Sequence, residues 1–175
     1  YGMTSVINKL IRILGLKICG KLQSNNCLAQ VEKPVVFITH MEHHSNHTPW
    51  LETFADVVII EPGSNLQIDL DNFEKLLIEH SNRKFKIGSF TACSNVTGVH
   101  TPYHKMAALM HKYGGLAFVD FAASAPYQNI DMHPQNPDER LDAIFFSPHK
   151  FIGGPGAAGI MVFNSSIYHN PVPDQ

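Results

Sequence analysis

The strongest constraint on the fold of this chain is the recurrence of short apolar runs. Val35-Val36-Phe37-Ile38-Thr39 is the clearest, and similar runs return at Val57–Ile60, Phe85–Phe90, Leu116–Phe121, Ala143–Phe146 and Gly159–Phe163, the second interrupted by Lys86 and Ser89 and the third by Asp120. A strand covered on one face alternates apolar with polar residues, whereas a continuous run reads as a strand buried on both faces. Helical patterns lie between the runs. Ile7, Leu10, Ile11 and Leu14 fall at helical spacing, with Thr4 and Ser5 as candidate caps and Gly15 as a stop. Further helices are predicted at Pro49–Ala55, at Leu70/Phe73/Leu76/Leu77 opened by an Asp71…Glu74 capping box, and at Met106/Leu109/Met110/Tyr113 between Thr101-Pro102 and Gly114. Alternating strand and helix predicts an α/β fold, a mostly parallel sheet with helices on both faces. Residues 17–33 read as a polar connection, 1–168 as one domain or part of one, and 169–175 as a linker-like tail.

Composition narrows the class of function. Hydrophobic residues make up 44% and charged residues 16% of the 175, a core-rich balance that excludes disorder over most of the length. The formal net charge is -2 and no basic stripe is present, which argues against nucleic acid and anionic membrane surfaces as partners. No apolar run approaches the ~20 residues needed to span a bilayer. Cys19, Cys27 and Cys93 are odd in number and form no close pair, so a reducing, cytoplasmic setting is expected, with neither a disulfide framework nor a zinc knuckle.

In a parallel sheet the ligand-contacting residues gather beyond the carboxyl ends of the strands. Four such ends carry polar groups in apolar surroundings: Thr39 to His47, Thr91 to Gly98, Asp120 to Ser124, and Ser147 to Lys150. Lys150 is flanked by apolar sequence that is expected to desolvate its ammonium, and a deprotonated amine attacks an aldehyde to form a Schiff base. Taken alone it reads as a lysine snorkelling from a loop, the commoner fate of such a residue. Ser147 and His149 beside it supply a hydroxyl and an imidazole suited to a phosphate. Asp120 is a carboxylate at the mouth of a buried strand; it fits either a cap on the next turn or the partner of a pyridinium nitrogen. The start of the first helix, behind Gly2-Met3, offers free N–H groups to an anion, a feature shared by many helices that bind nothing. His40/His44 and His43/His47 have metal-ligand spacing on a helix, but they stand at a strand end and HExxH is absent, so no metal site is expected. A histidine here can instead lay its ring against a flat cofactor. Asn95 is either a donor to a phenolate oxygen or a turn former.

Taken in order, Gly2-x-Thr4, Glu42-His43-His44-Ser45-Asn46, Ser94-Asn95-x-x-Gly98, Asp120-x-Ala122, Ser147-x-His149-Lys150 and Gly156-x-x-Gly159 resemble the class V aminotransferase superfamily of fold type I pyridoxal phosphate enzymes. Within it, the similarity is greatest to the cysteine desulfurase and selenocysteine lyase branch. The resemblance implies the cofactor pyridoxal 5'-phosphate, with Lys150 carrying it and shuttling protons and Asp120 pairing with the ring nitrogen. It implies His43 stacked on one face of the ring, Ala122 against the other, and Asn95 donating to O3′. Met3, Thr4, Ser147 and His149 would hold the phosphate.

By the same resemblance the chain is a partial large domain. The small C-terminal domain, with the substrate-carboxylate arginine and the sulfur-accepting cysteine, lies outside it. None of Cys19, Cys27 and Cys93 matches that cysteine. Where desulfurases carry Asp-x-Ala-Gln this chain has Asp120-Phe121-Ala122-Ala123, with Ser124 the nearest candidate substitute. The expected activity is that of a cysteine desulfurase or related lyase on a small amino acid, in a protein that is a homodimer at full length. A class V aminotransferase, a kynureninase-like hydrolase, or a non-catalytic binding or assembly module would share these motifs. The segment alone is expected to be inactive, to bind cofactor weakly and to self-associate through an unpaired edge at Gly159–Phe163.

Overall fold

A computed structural model describes residues 2–17 and 32–170. Cys19, Cys27 and most of the predicted 17–33 connection lie outside them, as do residues 171–175 of the predicted tail. The elements run α1 (Met3–Ile13), β1 (Val35–Thr39), α2 (Thr48–Leu51), β2 (Asp56–Ile60), α3 (Leu70–Glu79), β3 (Lys86–Thr91), α4 (Tyr103–Lys112), β4 (Leu116–Asp120), β5 (Ala143–Phe146) and β6 (Ile160–Phe163). The strands form one sheet in the order β2-β1-β3-β4-β5-β6, parallel except for the antiparallel β5/β6 pair.

The apolar runs are explained by two cores, one on each face of the sheet. Val35, Phe37, Phe90, Val119 and Ile144 pack with Phe73 and Leu77 of α3 and Met106 and Met110 of α4. Their sequence neighbours Val36, Ile38, Phe118 and Phe145 point the other way, onto Ile7, Leu10 and Ile11 of α1 and Trp50 of α2. Successive side chains of a strand face opposite sides, so a central strand between two helical layers buries both faces, and a polar side chain there must find a partner, as Ser89 of the central strand β3 does in Asn46.

The ends of the sheet depart from that expectation. In β2 only Ile60 is buried, and Ile59 is 40% exposed. In β6, Ile160 and Val162 are 41% and 45% exposed. Both are terminal strands, and among the described residues no strand pairs with their outer sides.

Local details differ as well. Thr4 and Ser5 do not cap α1; they lie inside its first turn, Gly2 is the N-cap, and no side chain bonds the free N–H groups there. The cap of α3 is Asp69, whose carboxylate accepts from the N–H groups of Asp71 and Asn72 at 3.0 Å. Glu74 is drawn away from any capping box by Lys112 Nζ at 2.6 Å, the last residue of α4, and by Tyr113 OH at 2.9 Å just after it. The helix expected at Pro49–Ala55 stops at Leu51; the Thr53 hydroxyl turns back to donate to the Trp50 carbonyl at 2.7 Å. Gly15 and Gly114 do end their helices, both with positive φ (68° and 72°) that favours glycine.

Candidate functional site

The order β2-β1-β3 creates a switch point. The chain leaves β1 toward one side of the sheet for β2, then returns to the other side for β3, and a crevice opens beyond the carboxyl ends where the connections diverge. A cavity of about 330 Å³ lies there. It is lined by every residue to which the resemblance gives a role: Met3 and Thr4 from the start of α1, His43 after β1, Asn95 after β3, Asp120 and Ala122 at the end of β4, and Ser147, His149 and Lys150 after β5.

One wall is the N-terminus of α1. With no side chain capping it, the positive end of the helix and its unspent N–H groups face the cavity. Gly2 lets this end approach His149, since a Cβ there would stand 3.2 Å from the His149 Cε1 atom. Ser147 is buried, while His149 and Lys150 are exposed on a one-turn 3-10 helix at Pro148–Lys150. The expectation that apolar flanks desolvate Lys150 is therefore not met. The turn packs Phe146 and Phe151 together, ring centroids 6.2 Å apart, and leaves the lysine outside that contact.

Asp120 has the opposite environment. It is 3% exposed and accepts one hydrogen bond, from the Ala122 N–H at 2.7 Å. Burial pushes its carboxyl up to about 6, against the opposing pull of the Ala122 N–H and the Lys150 charge. A buried carboxylate with a single backbone donor retains capacity for a cationic donor from the cavity it lines. His43 is held below its ordinary range by partial burial, then by the positive charges of Lys150 and His44. Its Nδ1 accepts from the Ser45 N–H at 3.1 Å. A backbone N–H can only donate, so the ring is neutral with its proton on Nε2.

Two of the four metal-spaced histidines have other partners. His40 bonds the carbonyls of Ile60 and Leu66, and His43 bonds Ser45. Among the described residues no three His, Cys, Asp or Glu side chains gather to hold a metal.

Sequence reasoning placed Ser45, Thr91, Cys93 and Ala123 at the strand ends without giving them a role, and they line the cavity too. The β3 run ends at Thr91, so its position was the available signal for Thr91 and Cys93. Cys93 is free and buried, which raises its thiol pKa. Ala123 presents a methyl to the cavity. Ser124 is buried and absent from the lining, with its hydroxyl unpartnered, so it does not stand in for a glutamine there.

Known proteins are similar to this chain in sequence and in fold. The chain is similar to the cysteine desulfurase of Synechococcus elongatus, at 31% identity over 144 residues that cover 80% of this chain and 22% of the relative. It is similar to a probable cysteine desulfurase of Halalkalibacterium halodurans, at 33% over 130 residues, 72% of this chain and 30% of the relative. The chain thus spans less than a third of the length of these curated relatives. In fold it is similar to the apo structure of the cysteine desulfurase of Thermococcus onnurineus NA1, with a TM-score of 0.73 at 21% identity, covering 98% of this chain and 40% of that one. Residues 22–170 match the Aminotransferase class-V family, a stretch that contains β1 to β6 and the four strand ends that open on the cavity. The chain therefore belongs to the aminotransferase class-V family.

Proposed function

We propose that the cavity binds pyridoxal 5'-phosphate and that the chain is the cofactor-binding part of a cysteine desulfurase-type enzyme acting on a small amino acid. The observation that carries this reading is the meeting of Asp120 and Lys150 in one cavity whose wall is an uncapped helix N-terminus. The donor set fits the cofactor group by group. The N–H groups of Met3 and Thr4, the hydroxyls of Thr4 and Ser147 and the imidazole of His149 suit a phosphate. Asp120, buried with one donor, suits a protonated ring nitrogen. The neutral His43 ring and the Ala122 methyl suit the two faces of a flat ring. With Ala123 in place of glutamine, Asn95 is the side-chain donor for the phenolate oxygen.

When bound, pyridoxal phosphate supplies an electron sink that labilises bonds at the α-carbon of an amino acid. The chain's residues prepare for that. Asp120 keeps the ring nitrogen protonated, Lys150 Nζ anchors the cofactor and moves a proton to and from the substrate, and His43 fixes the plane of the ring. The reading extends to residues 1–168 as part of a larger cofactor domain, completed by a small domain and by a second subunit in a cytoplasmic homodimer. The desulfurase identity of the curated relatives supports the choice of reaction. Among the described residues no helix is long and apolar enough to cross a membrane.

The test is reconstitution of the full-length protein with pyridoxal phosphate, borohydride reduction and peptide mapping. The label is expected on Lys150, with a visible absorbance band before reduction. A label on Lys105 or Lys112 in its place, or no visible band at saturating cofactor, would overturn the proposal.

A further inference from the structure

Glu42 immediately precedes His43, yet it does not line the cavity. Its carboxyl is enclosed and meets donors on every side. Oε1 accepts from the Thr91 N–H at 2.7 Å, the Thr39 hydroxyl at 2.7 Å and the Thr39 N–H at 3.3 Å. Oε2 accepts from Asn46 Nδ2 at 2.7 Å. The carboxyl thereby joins the ends of β1 and β3 at the switch point, where the two connections part.

Asn46 is fully buried and continues the network. Its Oδ1 accepts from the Ser89 hydroxyl at 2.7 Å and from the Trp50 indole N–H at 3.4 Å. An indole N–H is a donor only, so the amide has one orientation: oxygen toward Trp50, nitrogen toward Glu42. Asn46 is also the last residue of the one-turn 3-10 helix His44–Asn46, for which the His43 side chain is the cap. The N–H that holds His43 Nδ1 belongs to Ser45, in the middle of that turn.

We infer that Glu42 and Asn46 are positioning residues, a buried carboxyl–amide clamp that holds the turn and through it fixes the neutral, Nε2–H form of His43 at the cavity. The clamp rests on the reading of the cavity as a cofactor site only for its consequence, since the network itself is independent of any ligand. Glutamine does not replace Glu42. The N–H groups of Thr39 and Thr91 require an acceptor at Oε1, which puts the glutamine amino group against Asn46 Nδ2, donor against donor. Turning the Asn46 amide over would set its amino group against the Trp50 N–H. The reciprocal exchange, Glu42→Gln together with Asn46→Asp, restores every bond: the new amide at position 42 donates to the new carboxylate at position 46, which accepts in turn from Ser89 and Trp50.

The experiment compares wild type, Glu42→Gln, Asn46→Asp and the double variant in the full-length protein. Imidazole 15N spectra without cofactor report the His43 tautomer, and pyridoxal phosphate affinity together with the pH midpoint of its absorbance reports the consequence. Glu42→Gln is expected to convert the single His43 form into a mixture and to weaken cofactor binding about tenfold or more, with a displaced absorbance midpoint; the double variant restores all three. Asn46→Asp sets two carboxyls together, with the charge of Asp120 close enough to act on Glu42. The variant's His43 spectrum is expected to match that of wild type at the same pH near about pH 5, where the pair shares a proton, and to depart from it by about pH 9.

An unchanged His43 spectrum in Glu42→Gln, or a double variant no better than the single ones, would overturn the clamp. Should Glu42→Gln not fold, the difference between Asn46→Asp and wild type decides, and a His43 spectrum that matches wild type at every pH, or departs from it equally at every pH, would overturn the clamp. A wild-type protein that binds no pyridoxal phosphate would refute the proposed function and leave the tautomer measurement to judge the clamp.

Discussion

Asp120→Asn separates the cost of the site from its use. The side chain is buried, at the last position of β4, and its one hydrogen bond, from the Ala122 N–H at 2.7 Å, can be kept by the asparagine carbonyl. What the substitution removes is the burial of a charge. Folding lifts this carboxyl from its ordinary 3.8 to about 6, chiefly through desolvation. Protonation therefore favours the folded state: the corresponding stability is complete below about pH 4 and lost once the pH has passed about 6. At ~1.4 kcal/mol for each factor of ten, the penalty on the ionised form is about 3 kcal/mol. In the cofactor-free protein the variant is expected to be more stable than wild type by about 2–3 kcal/mol at about pH 8 and equal to it near pH 4. Urea unfolding followed by circular dichroism over that pH range measures the difference. With saturating pyridoxal phosphate the order narrows or reverses, because only the carboxylate gains a charged partner, and turnover falls sharply. A variant no more stable than wild type at the alkaline end, or stabilised equally at every pH, would refute the assignment of Asp120 as a charge buried for a ligand's sake.

The remaining expectations concern the frame around the site. Asp142 is buried and its Oδ2 accepts from the Ala117 N–H and from His111 Nε2, both at 2.8 Å, so Asp142→Ala orphans two buried donors and is expected to cost about 3 kcal/mol or more in chemical denaturation. Gly159→Ala would bring a Cβ to 2.8 Å from the Gly2 carbonyl oxygen and 2.7 Å from Val6 Cγ2; it is expected to displace the start of α1 and weaken cofactor affinity, measured by fluorescence titration, more than it lowers thermal stability. His43→Ala is expected to loosen the cofactor and shift its absorbance without unfolding the protein, since the side chain is exposed at the cavity.

Local sequence determined the elements that answer to local causes. The run Val35–Thr39 is a strand with every residue buried, because Val35 to Ile38 carry no polar side-chain group and the hydroxyl of Thr39 is satisfied by Glu42. Gly15 and Gly114 end helices because a positive φ suits glycine there. The residues with chemistry at the four strand ends were legible because a parallel sheet delivers all its carboxyl ends to one edge. Tertiary structure decided what depends on partners distant along the chain. Glu42 reaches Thr91 across 49 residues and Asn46 reaches Ser89 across 43, and no local pattern announces either bond. Glu74 could read as part of a capping box until the end of α4 offered it Lys112 and Tyr113. Runs as apolar as those of the central strands became half-exposed edges at β2 and β6, because burial of a strand is set by its place in the sheet order. Lys150 stands exposed beside a deeply buried Asp120 for the same reason: apolar flanks state a preference for burial, and the path of the turn determines which side chain receives it.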